Sequence, residues 1–230
     1  MDEPLPQSVR VWDLPVRVFH WLLAALMAAS VATGLVGGNA MVWHMRSGYA
    51  ILALVVFRIM WGVAGSTTAR FADFLYAPGR VIAFARDLFS RRPAHYLGHN
   101  PLGGWMVLLL LFAVLFQAGT GLFANDDIAN EGPLNRFISN ELSNRLTSLH
   151  KLNIKLLYGL IAVHVAAVIY HWLGRGEYLV RAMFTGFKAW PSGVPVAALR
   201  FSSHWLALGL FVAAALAVWL IVSQPVAQPT

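Results

Sequence analysis

Long apolar runs, interrupted at a few points by histidine, arginine and glycine, organise this chain. Five stand out, at Val16–Gly37, Met41–Val63, Leu102–Ala124, Thr147–Leu173 and Ser202–Val222. Each is close to the about 20 residues an α-helix needs to cross the hydrocarbon layer. None shows the period-two alternation of a barrel strand, and open strands leave their backbone unsatisfied in lipid. The pattern predicts an all-α polytopic membrane protein, with a four-helix bundle over residues 1–190 and an additional C-terminal transmembrane helix and short tail over residues 191–230. No internal repeat is visible.

The helix boundaries carry their own signals. Asp13-Leu14-Pro15 reads as a cap followed by an early-turn proline, so the first helix is expected to begin a few residues ahead of its apolar run. Ser30-Val31-Ala32 is weakly similar to a signal cleavage site, but Asp2, Glu3 and Asp13 precede the run and the run is too long, which favours a retained span. A short in-plane helix is expected over Pro78–Phe89, with Arg80 and Arg86 at the lipid surface.

Composition sharpens this reading. Of 230 residues, 58% are hydrophobic and 12% charged, which leaves little length for a folded soluble domain. There are no cysteines, so disulfides, thiolate chemistry, cysteine-bound iron–sulfur clusters and covalent C-x-x-C-H haem attachment are excluded. The net charge of +7 orients the chain and does not indicate nucleic acid. Arg10, Arg17, Arg70, Arg80, Arg86, Arg91, Arg92, Arg175, Arg181, Lys188 and Arg200 fall on one face, against Arg46, Arg136, Arg145 and Lys151 on the other. The positive-inside rule then puts the N-terminus in the cytoplasm and the tail Ser223–Thr230, after five spans, on the far side.

Redox or metal chemistry is left to eight histidines. His150 and His164 lie 14 residues apart on one span, which puts them about 40° apart in azimuth and about 21 Å apart along the axis. His44 stands at the depth of His150, and His20 at the depth of His164 within about a turn. Two pairs at two depths point to two bis-histidine iron sites, and a haem b needs only such axial ligands and an apolar slot. Bare zinc or copper would want three or four ligands. Packing or interfacial histidines are the alternative.

Arg46 and Arg58 interrupt the second span, where a deep arginine costs about 2.5–3.5 kcal/mol. Haem propionates could balance both, with snorkelling to the interface as the alternative. Gly34, Gly48, Gly119, Gly121 and Gly159 admit either a macrocycle or a neighbouring helix. His171 shares the face of His164 and is a rival ligand, but its depth suits an interfacial role, as does that of His204. His95 and His99 read as part of a polar loop.

Arg17-Val18-Phe19-His20-Trp21, His44-Met45-Arg46-Ser47-Gly48, Phe57-Arg58-Ile59-Met60-Trp61-Gly62 and the His150/His164 pair together resemble the bacterial cytochrome b561 family, over about residues 9–190. That family is similar to the b-type cytochrome subunits of nickel–iron hydrogenases and formate dehydrogenases. The resemblance implies a haem-binding bundle in the bacterial inner membrane, with His20 and His164 on the inner haem iron and His44 and His150 on the outer one. It also implies exchange with a quinone. In the formate dehydrogenase relatives an asparagine and a glycine at the start of the third helix contribute to the quinone pocket. Asn100-Pro101-Leu102-Gly103-Gly104 is similar, which makes Asn100, Gly103 and nearby His99 candidates. A plain proline- and glycine-marked helix start is the alternative, and the fifth helix departs from the four-helix pattern.

The expected function is that of a two-haem electron-transfer cytochrome of a respiratory chain, passing electrons between quinone and a periplasmic partner. No catalytic residue is singled out, so the chain is read either as an electron carrier or as a quinone-linked oxidoreductase subunit. The partner is a c-type cytochrome drawn to Asp126, Asp127, Glu131 and Glu141, or a dehydrogenase or hydrogenase module; homo-oligomers stay open. Two other readings stand beside it. One is a superoxide oxidase that reduces quinone, with Arg46, Lys151 and Lys155 as a basic funnel; the other is a haem-free transporter using intramembrane His and Arg.

Overall fold

The computed structural model describes residues 7–88, 95–126 and 130–224. Strand β1 (Gln7–Arg10) leads into α1 (Leu14–Val36) and α2 (Met41–Ala64), followed by two short helices, α3 (Phe71–Phe74) and α4 (Pro78–Asp87). Then come α5 (Pro101–Gly121), α6 (Asn140–Arg175), α7 (Leu179–Thr185), β2 (Phe187–Trp190) and α8 (His204–Val222). The helices α1, α2, α5, α6 and α8 are long and apolar enough to cross a membrane, matching the five expected spans.

Boundaries differ where polar sequence hides helix. The fourth span was expected from Thr147, yet α6 begins at Asn140. Its first two turns are polar, so no apolar run marks them. They are held by Ser143 N–H donating to Ser139 O and by an Arg145–Glu141 ion pair at 2.6 Å, one turn apart. Conversely α5 stops at Gly121, short of the expected Ala124, because Leu122 O turns to accept Leu134 N–H at 2.9 Å. The in-plane helix α4 ends at Asp87; Phe89, like Asp2, Glu3, Arg91, Arg92, Asp127 and residues 225–230, lies outside the described residues.

The chain forms two compact units. The first comprises Met1–Val18, Ile59–Leu109 and Leu160–Ala207. The start of α1 is built on Asp13, 1% exposed, whose Oδ1 accepts Val16 N–H at 2.8 Å as the anticipated N-cap. Its Oδ2 accepts the indole N–H of fully buried Trp61 at 3.0 Å. The backbone before it is pinned as well. Thr68 Oγ1 donates to Val11 O at 2.6 Å, and Val11 and Trp12 N–H both donate to Gly186 O. Gly186 has φ +88°, closes α7, and carries its α-carbon where a Cβ would stand 2.9 Å from Trp12 O, so only glycine fits. Arg17 donates to Met183 O and Phe184 O at the C-terminal end of α7, where cations are favoured. A short antiparallel ribbon, Gln7↔Trp190 through Arg10↔Phe187, completes this tie; the hydrophobic pattern did not announce it.

The second unit comprises Phe19–Arg58, Leu110–Gly159 and Leu208–Thr230. Leu52 and Ala53 of α2, Leu122 and Val218 of α8 form its core, flanked by Tyr49, Val56, Leu115, Ala118 and Ala215. The turn after α5 is fastened by polar side chains. Fully buried Ser143 donates to Phe123 O at 2.8 Å and accepts from Asn135 Nδ2 at 2.8 Å and Asn125 Nδ2 at 2.6 Å. Arg136 Nη2 donates to Gln224 O at 2.6 Å, so the same connection holds the end of α8.

Asp13 carries both a cap and a buried indole partner. Asp13→Ala should destabilise the protein by about 1.5–5 kcal/mol, the combined range for a lost N-cap and an unsatisfied buried donor. Asp13→Asn keeps acceptor oxygen for one role and should lose less. Unfolding in detergent compares them; equal losses would contradict the double role.

Candidate functional site

In the second unit α2 carries His44 and α6 carries His150, and their rings stand 6.1 Å apart between centroids with planes at 81°. His44 Nδ1 lies 2.8 Å from Ser30 O on α1, and His150 Nδ1 lies 2.9 Å from Gln117 O on α5. A carbonyl only accepts, so each Nδ1 must carry the proton, and each Nε2 is the unprotonated ring nitrogen with a lone pair to give. Hydroxyls repeat the pattern. Ser30 Oγ is 3.2 Å from His44 Nδ1, and Thr120 Oγ1, itself donating to Phe116 O at 2.8 Å, is 3.3 Å from His150 Nδ1.

The backbone makes room for both rings. A Cβ on Gly34 would meet His44 Nδ1 at 2.8 Å, and one on Gly121 would meet His150 Cε1 at 3.1 Å. These two glycines therefore admit the imidazoles themselves. Beside Gly48, Gly119 and Gly159 an added Cβ would meet nothing within 4 Å. Asn153, three residues past His150, is buried and donates from Nδ2 to Ala113 O at 2.9 Å and to Gln117 Oε1 at 2.8 Å. It locks the turn of α5 whose carbonyl orients His150.

This donor set fits iron held in a macrocycle. Two metal–imidazole bonds of about 2 Å, plus the distance from each nitrogen to its ring centre, span about 6 Å, the separation of the two rings. Nδ1–H on a carbonyl is the usual second contact of a ligating histidine. Among the described residues no three His, Cys, Asp or Glu side chains converge, so a bare ion lacks its coordination shell. A haem brings four nitrogens of its own and asks for two axial ligands.

The remaining expected residues fall as follows. Half-buried His20 on α1 belongs to the second unit, its ring edge-on to Trp21 at 4.9 Å; half-buried His164 on α6 belongs to the first. Arg58 is 2% exposed, whereas Arg46 is exposed and lies 5.1 Å over the Trp43 ring. His95 packs edge-on to Trp190 at 5.9 Å. In the acidic connection Asp126 binds Asn130 through both carboxylate oxygens, and Glu141 pairs with Arg145.

At the start of α5, in the first unit, Asn100 Oδ1 accepts Gly103 N–H at 2.7 Å, and His99 sits between the rings of Trp12 at 4.8 Å and Phe74 at 4.7 Å. Asn100 Nδ2 is 3.3 Å from His171 Nε2, and His171 Nδ1 is 3.3 Å from Glu177 Oε2. Lys188 Nζ closes the chain on Glu177 Oε2 at 3.2 Å and on Tyr96 O at 3.0 Å. His171 is thus tied into the protein, where its depth alone had suggested an interfacial side chain. Burial would raise the Glu177 carboxyl, but the hydrogen bonds from His171 and Lys188 and the Lys188 charge outweigh it and hold the pKa at about 2.

Sequence reasoning passed over Ser30, Gln117, Thr120, Asn153, Glu177 and Lys188. The first four carried a readable signal, since each is a polar residue inside an apolar span. Glu177 lies just past the fourth apolar run and Lys188 in the loop that follows; neither belongs to a motif, and only the fold joins them to His171.

The chain matches the family model of prokaryotic cytochrome b561 over residues 11–186. Among curated proteins it is similar to a "Probable Ni/Fe-hydrogenase B-type cytochrome subunit" of Rhizobium leguminosarum bv. viciae, 27% identical over 142 residues, covering 50% of this chain and 59% of that protein. Proteins of the same name from Cupriavidus necator and Rhodobacter capsulatus are 22% and 23% identical, each over 79% of this chain and over 87% and 81% of their own length. No solved structure matches.

The Glu177 network gives a pH dependence with a definite sign. Its carboxyl falls from 4.5 to about 2 on folding, so its stabilisation is fully present above about pH 4.5 and is lost as pH falls towards about 2. Glu177→Gln should flatten the stability profile in that window and leave it parallel to wild type above it. Detergent unfolding from pH 6 to 2 measures this; parallel acid limbs would contradict the pairing.

Proposed function

Because the chain belongs to the prokaryotic cytochrome b561 family, we propose that it holds two haems b and carries electrons between a membrane quinone and a hydrogenase-type module on the outer face. The coarser part needs no proposal: it is a multi-pass membrane b-type cytochrome of electron transfer. Membership also favours the cytochrome over a haem-free transporter.

The observation that carries the proposal is the His44–His150 pair, two imidazoles at 6.1 Å whose Nδ1–H groups both donate to carbonyls. His44 and His150 bind one haem in this reading, and His20 and His164 the other. Haem b supplies one-electron Fe(III)/Fe(II) chemistry when bound. The chain's residues do the rest. The Ser30 and Gln117 carbonyls fix ring orientation and raise ligand basicity, Asn153 holds the Gln117 turn, and Arg58 and Arg46 supply positive charge for propionates. Of the two, Arg58 is the buried charge, whereas Arg46 is exposed and lies over the Trp43 ring. Asn100, Gly103 and His99 are assigned to the quinone, with the N-terminus in the cytoplasm of a bacterial inner membrane.

For the partner, the curated relatives bear the name of Ni/Fe-hydrogenase subunits, which supports a hydrogenase-type module. The acidic connection offers less to a basic c-type cytochrome than its composition suggested. Asp126 is engaged in its own loop and Glu141 neutralises Arg145.

Reduced-minus-oxidised absorption of the purified protein, with haem quantification, tests the ligand assignment. Two haems b per chain are expected. His44→Ala and His150→Ala should each remove one haem and leave the other, while His20→Ala and His164→Ala remove the complementary one. A single haem in wild type, or two haems retained in a His20→Ala, His150→Ala double variant, would overturn it.

A further inference from the structure

The polar chain at the end of α6 does more than fasten a helix. Asn100 is oriented without ambiguity, because its Oδ1 accepts Gly103 N–H at 2.7 Å and its Nδ2 must therefore face His171 Nε2 at 3.3 Å. An amide nitrogen only donates, so His171 Nε2 accepts and Nδ1 bears the proton. Glu177 Oε2 stands 3.3 Å from that nitrogen, within ion-pair distance, and the same oxygen is fixed by Lys188 Nζ at 3.2 Å. The three side chains are 15%, 26% and 14% exposed, so the array is largely shielded from water. Tyr170 stands edge-on to His171 at 5.8 Å, and its hydroxyl donates to Leu88 O and accepts from Arg175 Nε.

An imidazole with a carboxylate beside one nitrogen, ready to hold the charge of its protonated form, and a weak, displaceable donor on the other is placed as a general base is. His171 also lies seven residues after His164 on the same helix, about 10.5 Å along the axis. A proton acceptor here is within two helical turns of the proposed iron ligand.

Resting on the quinone reading above, we propose that His171 is the base that takes protons from a bound quinol, with Glu177 as the positioning residue that orients it. The quinol hydroxyl takes the place of the Asn100 amide at Nε2. Its O–H bond breaks as the N–H bond on Nε2 forms, and the electron leaves through the one-electron transfer proper to a b-type cytochrome. The imidazolium is held by the Glu177 carboxylate, whose own charge is balanced by Lys188, and then gives its proton to solvent. Two such cycles convert one quinol to quinone, two protons and two electrons, and quinone reduction runs the sequence backwards. Asn100 holds the site in its resting tautomer.

The test is stopped-flow reduction of the purified holoprotein by decylubiquinol and by a short-chain menaquinol, in H2O and D2O, alongside reduction by dithionite and quinone binding followed by tryptophan quenching. Losing a general base costs on the order of 100-fold or more, so His171→Gln should slow quinol-driven reduction by about that factor. Glu177→Gln should slow it by about tenfold and Glu177→Asp by less, with haem content, dithionite reduction and quinone binding near wild type. The wild-type solvent isotope effect should be altered in both His171→Gln and Glu177→Gln. Quinol rates within twofold of wild type in Glu177→Gln, with an unchanged isotope effect, would overturn the proposal while leaving the quinone reading intact. Should neither quinol reduce the wild-type protein, the quinone reading falls and this one with it. If His171→Gln assembles without haem, Glu177→Gln and Glu177→Asp decide alone.

Discussion

An imidazole inside a span has an N–H that water cannot satisfy, and the acceptors within reach are backbone carbonyls of neighbouring helices. The second unit is organised around this constraint. His44 Nδ1 ties α2 to the Ser30 carbonyl of α1, and His150 Nδ1 ties α6 to the Gln117 carbonyl of α5. Each bond fixes a tautomer and a ring plane at once, so the protein alone sets where each free lone pair lies. Gly34 and Gly121 follow from it, because any side chain there would push the rings off their acceptors. Asn153 follows too, since a carbonyl that orients a ligand must itself be held.

The first unit meets the same constraint with charge. Asp13 is buried but answered by a helix start and an indole, and Glu177 is answered by His171 and Lys188. One arrangement fastens the chain. The other leaves an imidazole with a weak partner at Nε2, which is a reactive disposition. The difference lies in what the other end of each group touches: Asp13 is saturated, whereas His171 meets only a side-chain amide.

The five spans were legible from sequence, since apolar length marks a helix, and the four histidines stood out as candidates because histidine is costly inside one. The spacing of His150 and His164 on a single helix carried most of that information. The start of α6 was not legible, because Asn140–Arg145 is helical yet polar. Nor was the β1–β2 ribbon, a long-range pairing between segments of no marked pattern. The glycines were read as room for a macrocycle or a neighbouring helix, and at Gly34 and Gly121 the space belongs to the His44 and His150 rings. The partners of His171 were not legible, since Glu177 and Lys188 reach it only through the fold.

In the proposed site His44 and His150 would bind one iron between them with rings almost at right angles. Electron paramagnetic resonance of the oxidised, purified protein reads this directly, because the spectrum of low-spin ferric haem depends on the angle between its two imidazole planes. With planes at 81°, the account predicts a strongly anisotropic low-spin signal with a large highest g value. A high-spin ferric spectrum, or low-spin signals only of the kind given by parallel imidazoles, would contradict it.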